Sequence, residues 1–376
     1  MLRETRDQGR SAGIAGPLLL GALIVLSSCG PTPRRSDATT TRPIDPGIFV
    51  EYTKVLDAYI KALLLLGSDN PADRAEAKRK LDALGFAYFA EDRMFLEKLR
   101  TGTPDDMEVA RRELARRGRM LDLILVFTRP YAQATWDHAR RELLAIGEGG
   151  PEFLTISLLK ILLNGQFRPV WSHIRFQLVE IGTVARETTA ALAKERADAT
   201  PETPIWKQED LVQLLLVLIS FGAEGRPAVA ELAKHRVWNV RKAVARAVGE
   251  AVDPALAEIL VGYLKGDPEW QVKAAAAEAI GRLRPARRTL GPVLVERMKA
   301  ERDRFVLHAI LRAIGEIRYL DAIPDLMNAI QVPNYDTAQV AMEALYFLTG
   351  KRLTTVPQWQ RWYRDEYPAW IKEQRP

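Results

Sequence analysis

Two histidines occupy the same position in two similar segments, residues 136–140 and 171–175. The segments read Trp-Asp-His-Ala-Arg and Trp-Ser-His-Ile-Arg, so His138 and His173 share one register. A zinc site needs its ligands within a few ångströms of the ion, and Asp137 is the candidate third ligand. Two histidines without a defined third ligand are more typical of helix capping or of partly buried rings. We therefore predict no metal site and no cofactor.

The same segments belong to a wider set in which a tryptophan shortly precedes a basic residue. The tryptophans are Trp136, Trp171, Trp238 and Trp270, and the basic residues are Arg140, Arg175, Arg241 and Lys273. Each ring either seals a loop against the preceding helix or lines an edge for a partner, since Trp combines a large apolar area with one donor. Each cation either bonds a neighbouring unit or pairs with a partner's carboxylates or phosphates. These eight residues are the candidate partner-binding residues.

Motifs of catalysis are missing from the sequence. It has no P-loop, GxSxG, HExxH or glycine-rich dinucleotide turn, so we predict no catalytic residues and no enzyme. Arginines cluster within residues 111–119 and 282–288, but Glu108 and Glu113 flank the first cluster, as on an ordinary solvated helix. The net charge of +6 is a mild excess for 376 residues. We therefore predict no nucleic-acid partner.

A helical pattern that occurs twice must position these residues. Residues 238–249 and 270–281 match at an offset of 32 residues, and apolar residues such as Val240, Val244 and Val248 recur on one helix face. Between the copies, Asp253 and Pro254 predict the N-cap and first turn of another helix. Each unit is therefore a helix pair. Its closing glycine is predicted to end the second helix in the left-handed conformation.

This pattern resembles HEAT repeats of the short bacterial kind, in which Val-Arg is followed by small residues and a Leu/Ile-Gly end. The resemblance implies an all-α fold, an α-solenoid of stacked helix pairs forming a HEAT-like superhelix. Similar glycines recur along the chain and suggest about nine pairs within residues 47–350. These glycines are Gly85, Gly118, Gly147, Gly182, Gly222, Gly249, Gly281, Gly315 and Gly350.

Two stretches depart from the repeat pattern. Residues 211–221 are apolar almost all round but too short to span a bilayer, which predicts a helix buried on several sides. At the other end, Trp359, Trp362 and Tyr363 follow helical steps of three and four. A terminal repeat needs an atypical cap, so residues 351–376 are predicted to cover the end of the core. An aromatic docking site is the alternative.

The N-terminus has the layout of a signal peptide. Basic residues precede an apolar run over residues 14–26, and Leu-Ser-Ser then leads into Cys29, the only cysteine. These residues resemble the lipobox of bacterial lipoproteins. The resemblance implies that residues 1–28 are cleaved as a signal peptide and that Cys29 is lipidated. An uncleaved membrane anchor is the alternative, but 13 residues fall short of a span of about 20.

Residues 29–46 are rich in Pro, Thr and charge, which predicts a flexible tether behind the lipidated cysteine. In an extended form it would reach about 50 Å from the membrane, at about 3.1 Å per residue. By resemblance to Gram-negative lipoproteins, Gly30 after Cys29 favours sorting to the periplasmic side of the outer membrane. Removing residues 1–28 takes away three arginines and two acidic residues, so the net charge falls from +6 to +5.

Together these features predict a membrane-tethered HEAT-repeat scaffold that binds a protein partner in the bacterial cell envelope without catalysis. Membrane contact would run through the N-terminal lipid. One alternative is an envelope protein that binds polysaccharide or peptidoglycan. The other, which requires the lipobox interpretation to be wrong, is a HEAT-like enzyme or nucleic-acid binder.

Overall fold

The computed structural model describes residues 54–84, 92–128, 131–146, 150–199 and 206–374. Within these ranges the chain forms α-helices joined by short 3-10 turns and no strand, which confirms the predicted all-α solenoid. The signal peptide, Cys29 and the tether lie outside the described residues. No helix in the described ranges is both long and apolar enough to cross a membrane.

Eight helices make up the first part of the described chain. They are α1 (Lys54–Leu66), α2 (Pro71–Leu84), α3 (Asp92–Thr101), α4 (Pro104–Val126), α5 (Gln133–Leu144), α6 (Gly150–Leu162), α7 (Trp171–Ile181) and α8 (Thr183–Asp198). Eleven helices follow. They are α9 (Trp206–Ser220), α10 (Arg226–Leu232), α11 (Trp238–Ala251), α12 (Ala257–Gly266), α13 (Trp270–Arg282), α14 (Arg287–Ala300), α15 (Arg304–Ile317), α16 (Ile323–Ala329), α17 (Tyr335–Thr349), α18 (Val356–Asp365) and α19 (Tyr367–Gln374).

Helices α8 to α17 alternate between two layers. We call α9, α11, α13, α15 and α17 the B row, because each packs directly on the next, and the intervening α8, α10, α12, α14 and α16 the A row. A-row helices pack mainly on B-row helices and touch one another less. The B row is therefore the more closely packed of the two rows.

The closely spaced B row explains three of the recurrent glycines, and their predicted role was wrong. Gly249, Gly281 and Gly315 are buried inside helices and have no left-handed backbone. A Cβ atom on Gly249 would stand 2.8 Å from the Cα atom of Ala279 in the next B-row helix. These glycines therefore allow adjacent helices to approach closely. The left-handed position after α11 belongs to Val252 instead.

The N-terminal part departs from the predicted pairing. The helix expected to end at Gly118 continues to Val126, so α4 is one helix of 23 residues. It begins where Thr103 accepts a hydrogen bond from the Asp106 backbone N–H, with Pro104 in its first turn. A Cβ atom on Gly118 would lie 2.6 Å from the Leu63 Cβ, so this glycine also serves a close helix contact. Gly85 and Gly147 lie outside the described residues.

Helix α9 is buried over nine consecutive residues, 211–219, as the apolar run predicted. It contacts α7, α8, α10 and α11, so this stretch is buried on several sides. Gln213 is the one polar residue within the run and is only 4% exposed.

At the C-terminal end of the chain, Trp359 and Trp362 of α18 are buried and meet edge-to-face, and the Trp359 indole N–H donates to the Leu353 carbonyl at 3.0 Å. A cap over the end of the core requires such buried rings, and the capping role of residues 351–376 stays a prediction.

Candidate partner-binding surface

The candidate tryptophans differ in their exposure. Trp171, Trp238 and Trp270 are the first residues of α7, α11 and α13, where the sequence pattern placed them. Trp136 is fully buried inside α5, with its ring against Phe127 and 5.2 Å from the His173 ring centroid. A buried ring offers no surface to a partner, so Trp136 leaves the set of candidates and serves the core.

Aromatic rings line the edge where the B-row helices begin. We call Trp238, Trp270, Phe305 and Tyr335 the aromatic edge; each lies in the first turn of its helix. Trp270, Phe305 and Tyr335 are 41%, 48% and 79% exposed, and Trp238 is half-buried beneath the Lys242 ammonium. The Trp270 and Phe305 rings stack with their centroids 4.9 Å apart. Large exposed rings at adjacent helix ends are a typical anchor for a partner.

Contacts at both ends of these helices show why the rings form one edge. Arg241 in the first turn of α11 pairs with Asp267 just before α13, and Gly249 in the last turn of α11 meets Ala279 in the last turns of α13. The two helices are therefore parallel and in register. Neighbouring helices lie about 8–10 Å apart, so large rings in the first turns of adjacent helices can meet, as those of Trp270 and Phe305 do. Phe305 and Tyr335 lack the tryptophan by which the other members were predicted, although they occupy the equivalent place in their repeats.

Two of the basic candidates stabilise the fold. The Arg241 guanidinium donates to both Asp267 carboxylate oxygens, at 2.7 and 3.0 Å, and to the carbonyls of His235 and Arg236. The hydrogen bond with Asp267 raises the pKa of Arg241 above its usual value. Arg140 lies 3.3 Å from a Glu180 oxygen and 3.7 Å from an Asp137 oxygen. Both side chains therefore already form ion pairs within the fold.

The other two basic candidates are less engaged. Lys273 is half-buried and forms no ion pair within the described residues. The Arg175 guanidinium donates to the Gln213 side-chain carbonyl at 3.0 Å, and no carboxylate of the described residues lies within 4 Å of it. Burial lowers the pKa of Arg175, an effect that the nearby Glu250 partly opposes. Among the four basic candidates, Arg175 is therefore the one whose charge is disfavoured by burial and is not paired with a carboxylate.

Arg175 lies in a concave site between α7, α9 and α11, which we call the Arg175 groove. The groove has a volume of about 1010 Å³ and is open to solvent. A polar chain crosses it: Gln213 donates to Glu209 at 3.2 Å, and Arg246 donates to Glu209 at 3.1 Å. On one side, the Arg168 guanidinium lies 5.4 Å from the centroid of the Trp171 ring. Gln213 could have been noticed in the sequence as the polar residue within an apolar run.

The two histidines of the first register do not meet in a ligand cluster. Both histidines are exposed, with the His173 ring also in contact with Trp136, and no group of three potential metal ligands occurs in the described part of the chain. Asp137, the candidate third ligand, instead accepts hydrogen bonds from Gln177 at 3.1 Å and from Gln133 at 2.9 Å. The Gln177 hydrogen bond is the main reason why the pKa of Asp137 is lowered.

The arginine cluster over residues 111–119 is engaged in ion pairs. Arg111 and Arg112 both bind Glu108, and the same pair of hydrogen bonds lowers the Glu108 pKa to about 2. Arg116 pairs with Glu113, Arg119 with Glu142, and the buried Arg117 with the buried Asp92. Positive charge that is matched in this way contributes little to a patch for phosphates.

Comparison with known proteins agrees with this architecture. A family model of HEAT repeats matches residues 212–281 and 260–346. These residues include the whole of α10 to α16 and every member of the aromatic edge. No curated protein sequence is significantly similar to the chain. HEAT repeats form helical scaffolds that typically serve protein interaction and not catalysis. The chain therefore contains HEAT repeats over residues 212–346.

Proposed function

We propose that the protein is a non-catalytic scaffold that is tethered to a membrane of the bacterial cell envelope and binds a protein partner on its B row. The observation that carries the binding part is the stacked pair of Trp270 and Phe305, which is 41% and 48% exposed. Leaving two stacked rings in water forgoes the gain of burial, about 25 cal/mol per Å² of apolar surface. A partner that covers the rings recovers that gain.

The B row suits a protein partner better than a small molecule. The aromatic edge extends over four helices, and the second half of α11, the first of these helices, lines the Arg175 groove. Protein interfaces combine a few aromatic and arginine anchors with many weak contacts over about 800 Å² per partner. An extended row of helices offers that area, whereas the rings are too dispersed for one small ligand.

The partner can be sought by photo-crosslinking in the native host. A photoreactive benzoyl-phenylalanine in place of Trp270 would sit on the aromatic edge, and the same group in place of Glu258 would sit on the A row, where the side chain is exposed. We expect a discrete adduct with one envelope protein from position 270 and none from position 258. Identical adduct patterns from both positions, or none from position 270, would contradict the proposal.

The membrane part of the proposal depends on Cys29, which lies outside the described residues. Its support is the resemblance of Leu26 to Cys29 to a lipobox after a signal-peptide-like segment. Several acyl chains give lasting membrane attachment, whereas one chain is marginal. Native protein should have the mass of residues 29–376 plus acyl chains and should sediment with membranes, and a Cys29→Ala variant should lose both properties. An unprocessed chain that stays in the cytoplasm would contradict the proposed lipidation and membrane attachment.

A further inference from the structure

We propose that the Arg175 groove binds the carboxylate of an acidic segment of the partner, with the Arg175 guanidinium as the recognition group and the Trp171 ring as the adjoining wall. This inference rests on the proposed scaffold function and adds the chemistry of what the groove recognises. It concerns a site that is separate from the aromatic edge. The partner segment is defined by a glutamate or aspartate side chain that enters the groove.

The positive charge of Arg175 has no ion-pair partner within the described residues. The side chain is partly buried and donates to a neutral amide oxygen, that of Gln213, at 3.0 Å. A cation in a partly desolvated place is stabilised by a counter-ion, and within the described residues none forms an ion pair with Arg175. A guanidinium has five N–H donors in a planar fork, so one bond to Gln213 leaves most of them for a ligand.

Two neighbouring arginines of the groove, Arg226 and Arg246, already form ion pairs. Arg246 lies 3.1 Å from a Glu209 oxygen and 3.6 Å from a Glu250 oxygen. Arg226 lies 3.2 Å from Asp253 across the same groove. The lining holds four arginines and three carboxylates, so one positive charge is left over, and Arg175 and the exposed Arg168 beside Trp171 are the arginines without an ion pair there. An anionic ligand complements that excess.

The Gln213 side chain, which accepts the hydrogen bond from Arg175, has a fixed orientation. Gln213 is buried in α9, and its side-chain nitrogen donates to Glu209 at 3.2 Å. This bond assigns the amide so that its oxygen faces Arg175. Gln213 therefore holds Arg175 on the groove side of α9, because the Gln213 amide is itself hydrogen-bonded to Glu209. A preorganised guanidinium loses less conformational entropy when a carboxylate binds it.

The charges of the lining also favour a carboxylate over a phosphate. Glu209, Glu250 and Asp253 line the same groove as Arg175. A phosphate group carries nearly two negative charges near neutral pH, so these carboxylates repel it more strongly than they repel a single carboxylate. The volume of about 1010 Å³ is at the upper end of the usual range of roughly 300–1,000 Å³ for ligand pockets, which suits a short stretch of polypeptide.

The test measures fluorescence anisotropy of labelled peptides with the purified full chain. Three peptides of one length alternate glycine with glutamate, with glutamine or with phosphoserine. The variants are Arg175→Gln, which removes the charge, and Arg175→Lys, which keeps the charge but loses the fork. Arg288→Gln is the matched control, since Arg288 is exposed on α14 outside the groove. Thermal unfolding followed by circular dichroism checks that each variant is folded.

We expect saturable binding of the glutamate peptide and none of the glutamine peptide. Arg175→Gln should weaken binding by about tenfold or more, the size of a lost charge-assisted hydrogen bond, and Arg175→Lys should weaken it by less. Arg288→Gln should change the affinity by less than about twofold, because exposed and distant charges are screened by salt. If Arg175→Gln does not fold, the fork-deficient Arg175→Lys and the glutamine peptide still decide the question.

Equal affinity of the folded Arg175→Gln variant and the wild type would overturn the inference. So would equal binding of the glutamine peptide, or binding of the phosphoserine peptide alone. The outcome can be separated from that of the proposed function. If position 270 still crosslinks one envelope protein while the glutamate peptide fails to bind, the carboxylate chemistry is wrong and the scaffold function stands. If the peptide binds but position 270 yields no adduct, the scaffold proposal fails and the anion site stands.

Discussion

Gly281 of α13 lies directly against Ala313 of α15, so that a Cβ atom added to Gly281 would stand 2.9 Å from the Ala313 Cα atom. The same contact recurs one helix earlier, between Gly249 and Ala279. It recurs one helix later at Gly315, where an added Cβ atom would stand 3.1 Å from the Ala344 Cα atom. These contacts allow the close spacing of the B row, because each glycine places no side chain of its own between the helix backbones.

The sign of the change in the free energy of unfolding on Gly281→Ala substitution tests this contact. In an ordinary helix interior, Gly→Ala stabilises by roughly 0.5–1 kcal/mol. At Gly281 the added methyl group meets backbone, so we expect a loss of about 1–3 kcal/mol, as for other overpacked cores. Gly262→Ala in α12 is the matched control, since nothing lies within 4 Å of its added Cβ, and it should stabilise. Urea unfolding measures both, and a stabilised Gly281→Ala would refute the close-contact explanation.

The buried ion pair of Asp92 and Arg117 should be indispensable to the N-terminal helices. Their side chains are 0% and 3% exposed, and the Tyr59 hydroxyl donates to Asp92 at 2.7 Å. Asp92→Ala leaves a buried guanidinium without its carboxylate, which typically costs about 3–5 kcal/mol. The thermal midpoint should therefore fall sharply. Asp365→Ala, which breaks an exposed pair with Arg364, should leave the midpoint nearly unchanged. Similar midpoints for the two variants would contradict this account.

If α18 caps the end of the core, as the sequence predicts, substitution of Trp359 should have a large effect on stability. This ring is fully buried and its N–H is hydrogen-bonded, so Trp359→Ala creates a cavity that should cost about 3–5 kcal/mol. Hydrogen exchange should increase first in α16 and α17, which the C-terminal end of the array otherwise shields. Tyr335→Ala removes a ring that is 79% exposed and should leave exchange unaltered. If Trp359→Ala leaves the exchange of α16 unchanged, the end of the core does not depend on this cap.

His308 should make stability depend on pH in one direction. Burial, followed by the nearby Arg312, lowers its pKa below the usual 6.5, and its ring lies 3.1 Å from the Thr337 hydroxyl oxygen. The unfolded chain therefore binds the proton more readily. This contribution is fully present above pH 6.5 and is lost as the pH falls from 6.5 toward the lower folded-state value. The difference between wild type and His308→Gln should shrink over that window. A difference that is flat with pH would show that His308 is not the responsible group.

The sequence was most informative where residues repeat. The spacing of Val240, Val244 and Val248 placed α11, and the 32-residue offset placed α13, because one apolar face per helix is enough to specify a stacked pair. The pattern also predicted that α9 is buried on several sides. It could not tell why Gly281 recurs, since left-handed ends and close contacts both select glycine. Only the position of Ala313 in the next unit distinguishes the two causes.

The candidate surface was harder to derive. Trp136 and Trp270 have similar sequence contexts, yet one is fully buried and the other is 41% exposed. The difference comes from what packs on each ring, Phe127 and His173 for Trp136 and Phe305 for Trp270, which spacing along the chain does not encode. The Arg175 groove likewise depends on contacts among three helices. Gln213 aligns Arg175 from 38 residues away in sequence.

The measurement closest to the central claim is the affinity of the partner recovered by crosslinking from position 270. It would be compared for the wild type, for Trp270→Ala on the aromatic edge and for Glu258→Ala on the A row. Truncating an exposed aromatic anchor at an interface typically costs at least about 2 kcal/mol, which is more than tenfold in affinity. We predict that loss for Trp270→Ala, with unchanged unfolding, and no change for Glu258→Ala. Wild-type affinity in Trp270→Ala would contradict the claim that the protein binds its partner on the B row.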